Sequence, residues 1–213
     1  MRAVMTLLGV LLPASLLMVL CGCVDGVVGN PRYETVEREV NIDGKKVVVV
    51  PFRDVQDIYF ESVDGNELTE RVGHQMRIHL PKTKFVSALP IRKKYGPVEL
   101  EVVPVEQLGE VVRADLVLVG NLKEFSTQEP KTTGILRGTC RVELDLYDVA
   151  QKRSIWRRSL TLHYPERGVG VPSTDTTPEK IREGLTKLTA DAIAKRFYTY
   201  KKRFGPAPLD WNY

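Results

Sequence analysis

Three histidines are the first residues to test for metal or catalytic chemistry. On a helix, two metal ligands share a face when they are three or four residues apart. His74 and His79 are five residues apart, so their side chains would diverge by about 140° on a helix with 3.6 residues per turn. The third, His163, lies in a distant segment of the chain. The spacing therefore predicts no metal site.

The cysteine and carboxylate patterns also lack catalytic spacing. Cys140 falls on the apolar face of an alternating segment, which is typical of a buried structural thiol rather than an activated nucleophile. Four carboxylates cluster between Asp54 and Asp64, but their spacing does not fit a calcium-binding loop. Neither a phosphate-binding glycine loop nor a G-x-S-x-G turn is present. We therefore predict a protein that is not an enzyme and that takes no cofactor and no small-molecule substrate.

The N-terminal segment has the layout of a secretory signal. Arg2 is its first and only charge, and an uncharged apolar run follows over residues 3–24. The run ends in Leu-Cys-Gly-Cys at residues 20–23, which resembles the bacterial lipobox. The resemblance implies cleavage before Cys23 and lipidation of Cys23, so that residues 1–22 would be a lipoprotein signal peptide. An uncleaved anchor helix is the alternative, because the run is long enough to span a membrane.

Processing at this site would fix the location of the mature chain. Cys140 would remain as its one free cysteine, so no intramolecular disulfide could form. Val24, not Asp, follows Cys23; by resemblance to enteric sorting, this implies the outer membrane, with the protein facing the periplasm. A cysteine that carries palmitate and further acyl chains is a firm anchor, since each buried methylene contributes about 0.8 kcal/mol. The net charge of +4 is too small to indicate a nucleic-acid partner.

The mature chain divides into three parts. Residues 23–38 have no clear hydrophobic period and are interpreted as a tether, residues 39–203 as an α/β envelope domain, and residues 204–213 as an irregular C-terminal tail. A turn at Asp43-Gly44 predicts a short hairpin. The β-branched run over 46–52 predicts a strand that is buried on both faces of a sheet.

Periodic segments predict the first helices of this domain. Apolar residues recur every four positions over 67–80, which predicts an amphipathic helix capped by Asp64 or Asn66. Residues 105–112 predict a short helix, and residues 114–122 a second buried strand. Residues 84–88 predict a short strand, and the stretch over 89–103 is interpreted as proline-broken.

The C-terminal half predicts a hairpin followed by a helix. Residues 140–147 and 154–163 alternate apolar and polar side chains, which is typical of antiparallel strands with one wet face. Residues 123–137 are interpreted as a loop. Thr177 beside Pro178 is a helix start signal for a long final helix. The predicted fold class is α/β: one domain with a mixed β-sheet of about five strands, helices packed on it, and a C-terminal helix.

Several of these segments together resemble a group of bacterial envelope lipoproteins. The group includes the curli-secretion lipoprotein CsgG, the penicillin-binding-protein activator LpoB and the N-terminal domain of TolB. The matching motifs are VVVVPF at 47–52, GNELT at 65–69, RADLVLVG at 113–120 and YDVAQKRSIW at 147–156. The sequence departs from the group's pattern at a turn glycine, where Lys152 or Arg153 stands, and it has no long segment of the kind that builds the curli pore.

A looser resemblance links the chain to the lipopolysaccharide-assembly lipoprotein LptE, which combines a lipobox with a similar order of strands and helices. The first resemblance implies an accessory or docking subunit of a machine for envelope assembly, secretion or cell-wall synthesis. The second implies a component of lipopolysaccharide export. Both imply a protein that is anchored in the membrane through Cys23 and acts by binding an envelope protein partner.

Two segments are candidate contact surfaces. Ile58, Tyr59 and Phe60 lie together in a predicted loop, where they could bind a partner or fold back over the sheet. The basic aromatic segment from Arg196 to Phe204 is interpreted as a helix end whose cations complement the helix dipole, followed by the tail. Contact of these cations with anionic lipid headgroups or a protein partner is the alternative.

Overall fold

The computed structural model describes residues 32–54, 63–128, 134–166 and 170–204. In chain order the elements are β1 (Arg32–Val36), β2 (Lys46–Val49), β3 (Arg53–Asp54), α1 (Val63–His79), β4 (Lys84–Val86), α2 (Leu89–Lys94), α3 (Pro97–Val102), α4 (Val105–Val112), β5 (Leu116–Gln128), β6 (Ile135–Asp148), β7 (Arg153–Tyr164), β8 (Val171–Pro172), α5 (Pro178–Ala194) and β9 (Tyr200–Phe204). Residues 36–200 form one compact unit, and residues 32–35 and 201–204 belong to another.

A mixed sheet is the centre of the larger unit. Its main strand order is β4-β2-β5-β6-β7, and the short strands β3 and β8 add to β5 and β6. β2 pairs in parallel with both β4 and β5, whereas β5, β6 and β7 run antiparallel to their neighbours. This arrangement confirms the predicted α/β class with its mixed sheet and C-terminal helix.

The apolar run of β2 explains its central position. Val47 and Val49 face one hydrophobic cluster, while Val48 and Val50 face a second cluster on the other side of the sheet. A strand that is buried on both faces must be covered by helices on both faces. α1 and α5 supply most of the cover on the first face, and α2 and α4 contribute to the second.

The first face holds the larger core. Leu68, Val72 and Met76 of α1 are fully buried there, as the four-residue period predicted, together with Leu185 and Ile193 of α5. α5 begins as predicted: the Thr177 hydroxyl accepts a hydrogen bond from the Lys180 backbone amide, and Pro178 occupies the first turn. Cys140 is fully buried in the same cluster, in agreement with its predicted structural role.

Four local predictions were wrong. α1 begins at Val63, so Asp64 and Asn66 lie within the helix instead of capping it. The turn at Asp43-Gly44 does not join hairpin strands, because β2 pairs in parallel with β4 and β5. Much of the predicted loop over 123–137 belongs to β5 and β6. The proline-broken stretch over 89–103 contains α2 and α3, in both of which a proline occupies the first turn.

The second unit contains a two-stranded ribbon in which β1 pairs with β9. Both strands differ from the sequence-based interpretation. β1 lies inside the segment that was interpreted as a tether, and β9 covers residues 200–204, where a helix end and an irregular tail were expected. The helix α5 ends at Ala194 and has no basic residue in its last turn, so the cations that follow it do not complement its dipole there. Lys201, Lys202 and Arg203 are instead exposed on a strand.

Candidate functional site

The residues predicted to form sites lie outside the described part of the chain. Cys23 precedes the first described residue, and Ile58, Tyr59 and Phe60 fall between β3 and α1 in the gap over 55–62. The structure describes the elements on either side of that gap. β3 pairs in parallel with β5, and the chain resumes at Val63 with α1.

A cleft of about 420 Å³ opens where β2 and β4 end. Its walls come from the carboxyl ends of the two parallel strands, from the middle of α1 and from the beginning of α2. Clefts outside the carboxyl ends of parallel strands are the usual ligand sites of open α/β sheets. We call this cavity the strand-end cleft; its polar lining includes Thr69, Glu70, Arg77, Ser87 and Arg92.

Arg77 is the cation of the strand-end cleft that is available to a ligand. The Arg77 guanidinium lies along α1 beside Gly73, one helical turn earlier, where a Cβ would stand 3.7 Å from Arg77 Nη1, an ordinary van der Waals contact. Within the ranges that the structure describes, the guanidinium makes no hydrogen bond or ion pair. An arginine offers five N–H donors in a planar fork and accepts a carboxylate or phosphate through two of them.

Arg92 places a second guanidinium at the same cleft. It donates a hydrogen bond to the Asn66 side chain, so α2 and α1 are bridged there. The base of the cleft is fixed by Thr69, which is 8% exposed. Its hydroxyl accepts a hydrogen bond from the Phe52 amide at 2.8 Å and donates one to the Gly65 carbonyl at 2.7 Å.

The charge of the strand-end cleft favours an anionic partner. Arg77 and Arg92 are opposed by one carboxylate of the lining, Glu70. Ser87 adds a hydroxyl that already accepts a hydrogen bond from the Leu89 amide at 3.2 Å. Leu89 is itself 54% exposed at the rim. An apolar rim beside two guanidinium groups suits a peptide segment that carries a carboxylate.

The outer face of the hairpin is polar, as the alternation of its sequence predicted. Its charges are paired with one another: Lys123 with Glu143 at 3.1 Å, Arg141 with Glu124 at 2.9 Å, and Arg157 with Asp145 at 2.8 Å. Because Lys123, Arg141 and Arg157 each already have a carboxylate partner, they present little uncompensated charge to a ligand. The strand-end cleft is the better candidate.

The residues that the sequence offered for chemistry are dispersed. His79 stacks on Tyr198 with a distance of 4.3 Å between ring centroids, and His163 Nδ1 lies 3.1 Å from the Thr139 hydroxyl. Over the described ranges, no three histidine, cysteine or carboxylate side chains are grouped as a metal would require. Nor does any helix in those ranges have the length and apolar character needed to cross a membrane.

Glu39 forms a separate polar cluster that sequence reasoning missed. Its carboxylate accepts hydrogen bonds from Trp156 Nε1 and Arg158 Nε, both at 3.0 Å, and from Arg196 Nη1 at 2.9 Å. Burial raises the pKa of Glu39, but the bonds from Arg158, Trp156 and Arg196 outweigh it, so the pKa lies below its usual value. This cluster explains why Arg158 interrupts the apolar face of β7.

The fold defines a class, a mixed α/β domain with helices on both faces, and the known structures that are similar to it include bacterial lipoproteins. Lipoprotein GNA1162 from Neisseria meningitidis is 15% identical, with a TM-score of 0.48 over 71% of this chain and 99% of that chain. The PelC dodecamer from Paraburkholderia phytofirmans is 14% identical, with a TM-score of 0.44 over 78% and 98%. The LpoB C-terminal domain from Salmonella enterica is 15% identical, with a TM-score of 0.38 over 59% and 87%.

TolB from Acinetobacter baumannii is 14% identical, with a TM-score of 0.31 over 78% of this chain and 31% of that chain. Membership of the group that the sequence resembles, and the looser resemblance to LptE, stay predictions. No protein-family model matches the sequence, and no curated protein matches it at a significant level.

Proposed function

We propose that this chain is a lipid-anchored envelope protein that acts, without catalysis, as an accessory or docking subunit of a machine for envelope assembly, secretion or cell-wall synthesis. The observation that carries the proposal is the Leu-Cys-Gly-Cys sequence at residues 20–23, at the end of an apolar run whose one preceding charge is Arg2. A signal layout followed by a lipidation site places the folded unit at a membrane surface. Val24 after Cys23 supports outer-membrane sorting toward the periplasm.

The proposed docking site is the strand-end cleft, and its occupant is an acidic peptide segment of the envelope partner. Arg77 supplies donors that no described residue uses, and Arg92 adds a second positive charge on the opposite wall. A carboxylate held by two arginines is a strong, directional contact, because hydrogen bonds between ionised groups are about twice as strong as neutral ones. The exposed side chain of Leu89 would cover apolar parts of the same segment.

The anchor is tested by metabolic labelling with palmitate and by fractionation of cells. The native protein should incorporate label and fractionate with the outer membrane. Cys23→Ala should incorporate no label and should not fractionate with the outer membrane, because it cannot be processed as a lipoprotein. Label in Cys23→Ala, or unchanged processing of that variant, contradicts the assignment of Cys23.

The docking role is tested by crosslinking in cells with the native protein, Arg77→Gln and the control Arg141→Gln. Both variants remove one exposed cation, but Arg141 lies on the outer face of the hairpin. Losing one charged hydrogen bond should reduce capture of the partner about tenfold in Arg77→Gln and leave it unchanged in the control. Equal capture by both variants contradicts the cleft. Capture of an outer-membrane barrel of lipopolysaccharide export would replace the proposed machine with the LptE-like alternative.

A further inference from the structure

The ribbon formed by β1 and β9 joins the start of the described chain to a strongly basic strand. β1 begins at Arg32, and eight residues separate it from Cys23. β9 pairs with β1 and carries Lys201, Lys202 and Arg203 in succession. The cations near the C-terminus are therefore attached, through a pair of hydrogen-bonded strands, to the segment that follows the proposed lipid anchor.

The length of the connecting segment limits how far the ribbon can lie from the membrane. A chain spans at most about 3.3–3.6 Å per residue when fully extended, so nine steps from Cys23 to Arg32 reach about 30 Å. The local concentration of lipid headgroups around the ribbon is consequently high even before any attraction acts.

The exposed side chains of the ribbon suit a negatively charged surface. Lys201, Lys202 and Arg203 are all exposed, and the opposing strand supplies one carboxylate, Glu34. Tyr33 is 59% exposed on the same ribbon, and tyrosine is favoured at the level of lipid headgroups. Consecutive residues of a strand point to opposite faces, so Lys201 and Arg203 share one face.

We propose that the β1–β9 ribbon is a second membrane contact, which binds anionic lipid headgroups through the Lys201 and Arg203 face. The contact would supplement the acyl anchor. This inference extends the proposed function, because the tether matters only if Cys23 is lipidated. The charge of the ribbon itself does not depend on lipidation, which allows the two to be tested separately.

The test uses the unlipidated mature chain, residues 23–213 with Cys23→Ser, which retains every described helix and strand. Binding is measured by sedimentation with phosphatidylcholine vesicles that contain or lack phosphatidylglycerol. Each basic residue near an anionic surface contributes about a factor of five to binding, so Lys201→Gln with Arg203→Gln should lower the partition coefficient about 30-fold. The matched control, Lys93→Gln with Lys94→Gln, removes two exposed cations from α2 and should change it less than threefold.

Each result decides the proposal. Binding that requires phosphatidylglycerol, weakens with added salt and is lost in the ribbon variant supports it. The proposal is overturned by equal binding to both vesicles, by no binding at all, or by an equal loss in the two double variants, which would indicate general attraction by net charge. Circular dichroism spectra of both variants must match that of the parent chain. Lipidation at Cys23 is read from palmitate labelling, so failure of either idea leaves the other intact.

Discussion

Replacing Glu39 should weaken the folded state more than replacing any other carboxylate of its segment. Glu39→Gln keeps the size of the side chain but removes the charge that Arg158 and Arg196 neutralise and that Trp156 contacts. The Arg158 side chain is 52% exposed and the Arg196 side chain is 34% exposed, whereas Glu39 is 21% exposed. The exposed pair with Arg158 contributes at most about 1 kcal/mol, and the better shielded bonds to Trp156 and Arg196 about 1 kcal/mol each.

The expected loss in the free energy of unfolding at neutral pH is therefore about 2 kcal/mol, which lowers the Tm by roughly 4–8 °C for a domain of this size. Urea unfolding followed by far-ultraviolet circular dichroism measures it. Glu37→Gln is the control, because Glu37 accepts a single exposed hydrogen bond, from Thr199 at 2.8 Å. That variant should lie within about 0.5 kcal/mol of the native protein.

The pH dependence gives a second check on the same cluster. The pKa of Glu39 is lowered in the folded state, so its contribution to stability is complete above the unfolded pKa of about 4.3. It is lost as the pH falls through the folded pKa. The difference in unfolding free energy between native protein and Glu39→Gln should thus be constant near neutral pH and shrink in acid. A difference that is absent at pH 7, or that persists unchanged in acid, refutes the reasoning.

Three further predictions follow from backbone geometry and burial. Lys152 has a φ of 51°, so Lys152→Gly should raise the free energy of unfolding by about 1 kcal/mol, as measured in urea. Gly120→Ala should lower it by about 1–3 kcal/mol, because the new Cβ would stand 2.6 Å from the Phe52 ring. Cys140 is fully buried, so a thiol reagent should find no reactive cysteine in the folded lipidated chain and one after unfolding.

Each of these measurements has its own control or contrary outcome. Gly96→Ala should be nearly neutral, since the nearest atom to its added Cβ is 4.0 Å away; an equal loss in both variants would contradict the packing argument at Gly120. Destabilisation by Lys152→Gly would contradict the strain assigned to that turn. Two reactive thiols after unfolding would show that Cys23 carries no lipid.

Side-chain patterning predicted those parts of the fold in which one face or both faces are apolar. The period of α1, the run in β2 and the alternation in β6 and β7 each gave the correct element, because burial alone determines them. The C-terminal part of β5 was not predicted, because its residues Lys123 and Glu124 are polar and form cross-strand ion pairs with Glu143 and Arg141. Such pairs depend on register, which composition does not reveal.

The candidate site was harder to foresee than the fold. Arg77 and Arg92 come from two helices, and their proximity depends on how α1 and α2 pack around the ends of β2 and β4. The useful signal in the sequence was the prediction of the two strands that form β2 and β4, since the carboxyl ends of parallel strands indicate where a cleft forms. The parallel pairing of β2 with β4 could not be inferred, because Asp43-Gly44 suggested a hairpin instead.

The separation of α1 and α5 along the chain has a consequence for the export that we propose. The apolar face of α1, with Leu68 and Met76, is covered in the same cluster by Leu185 and Ile193, more than a hundred residues later. Contacts between such distant segments form slowly. A chain threaded N-terminus first through a translocation channel could therefore not close this core until α5 had emerged. The helix that completes the domain would then also set the moment at which the domain folds.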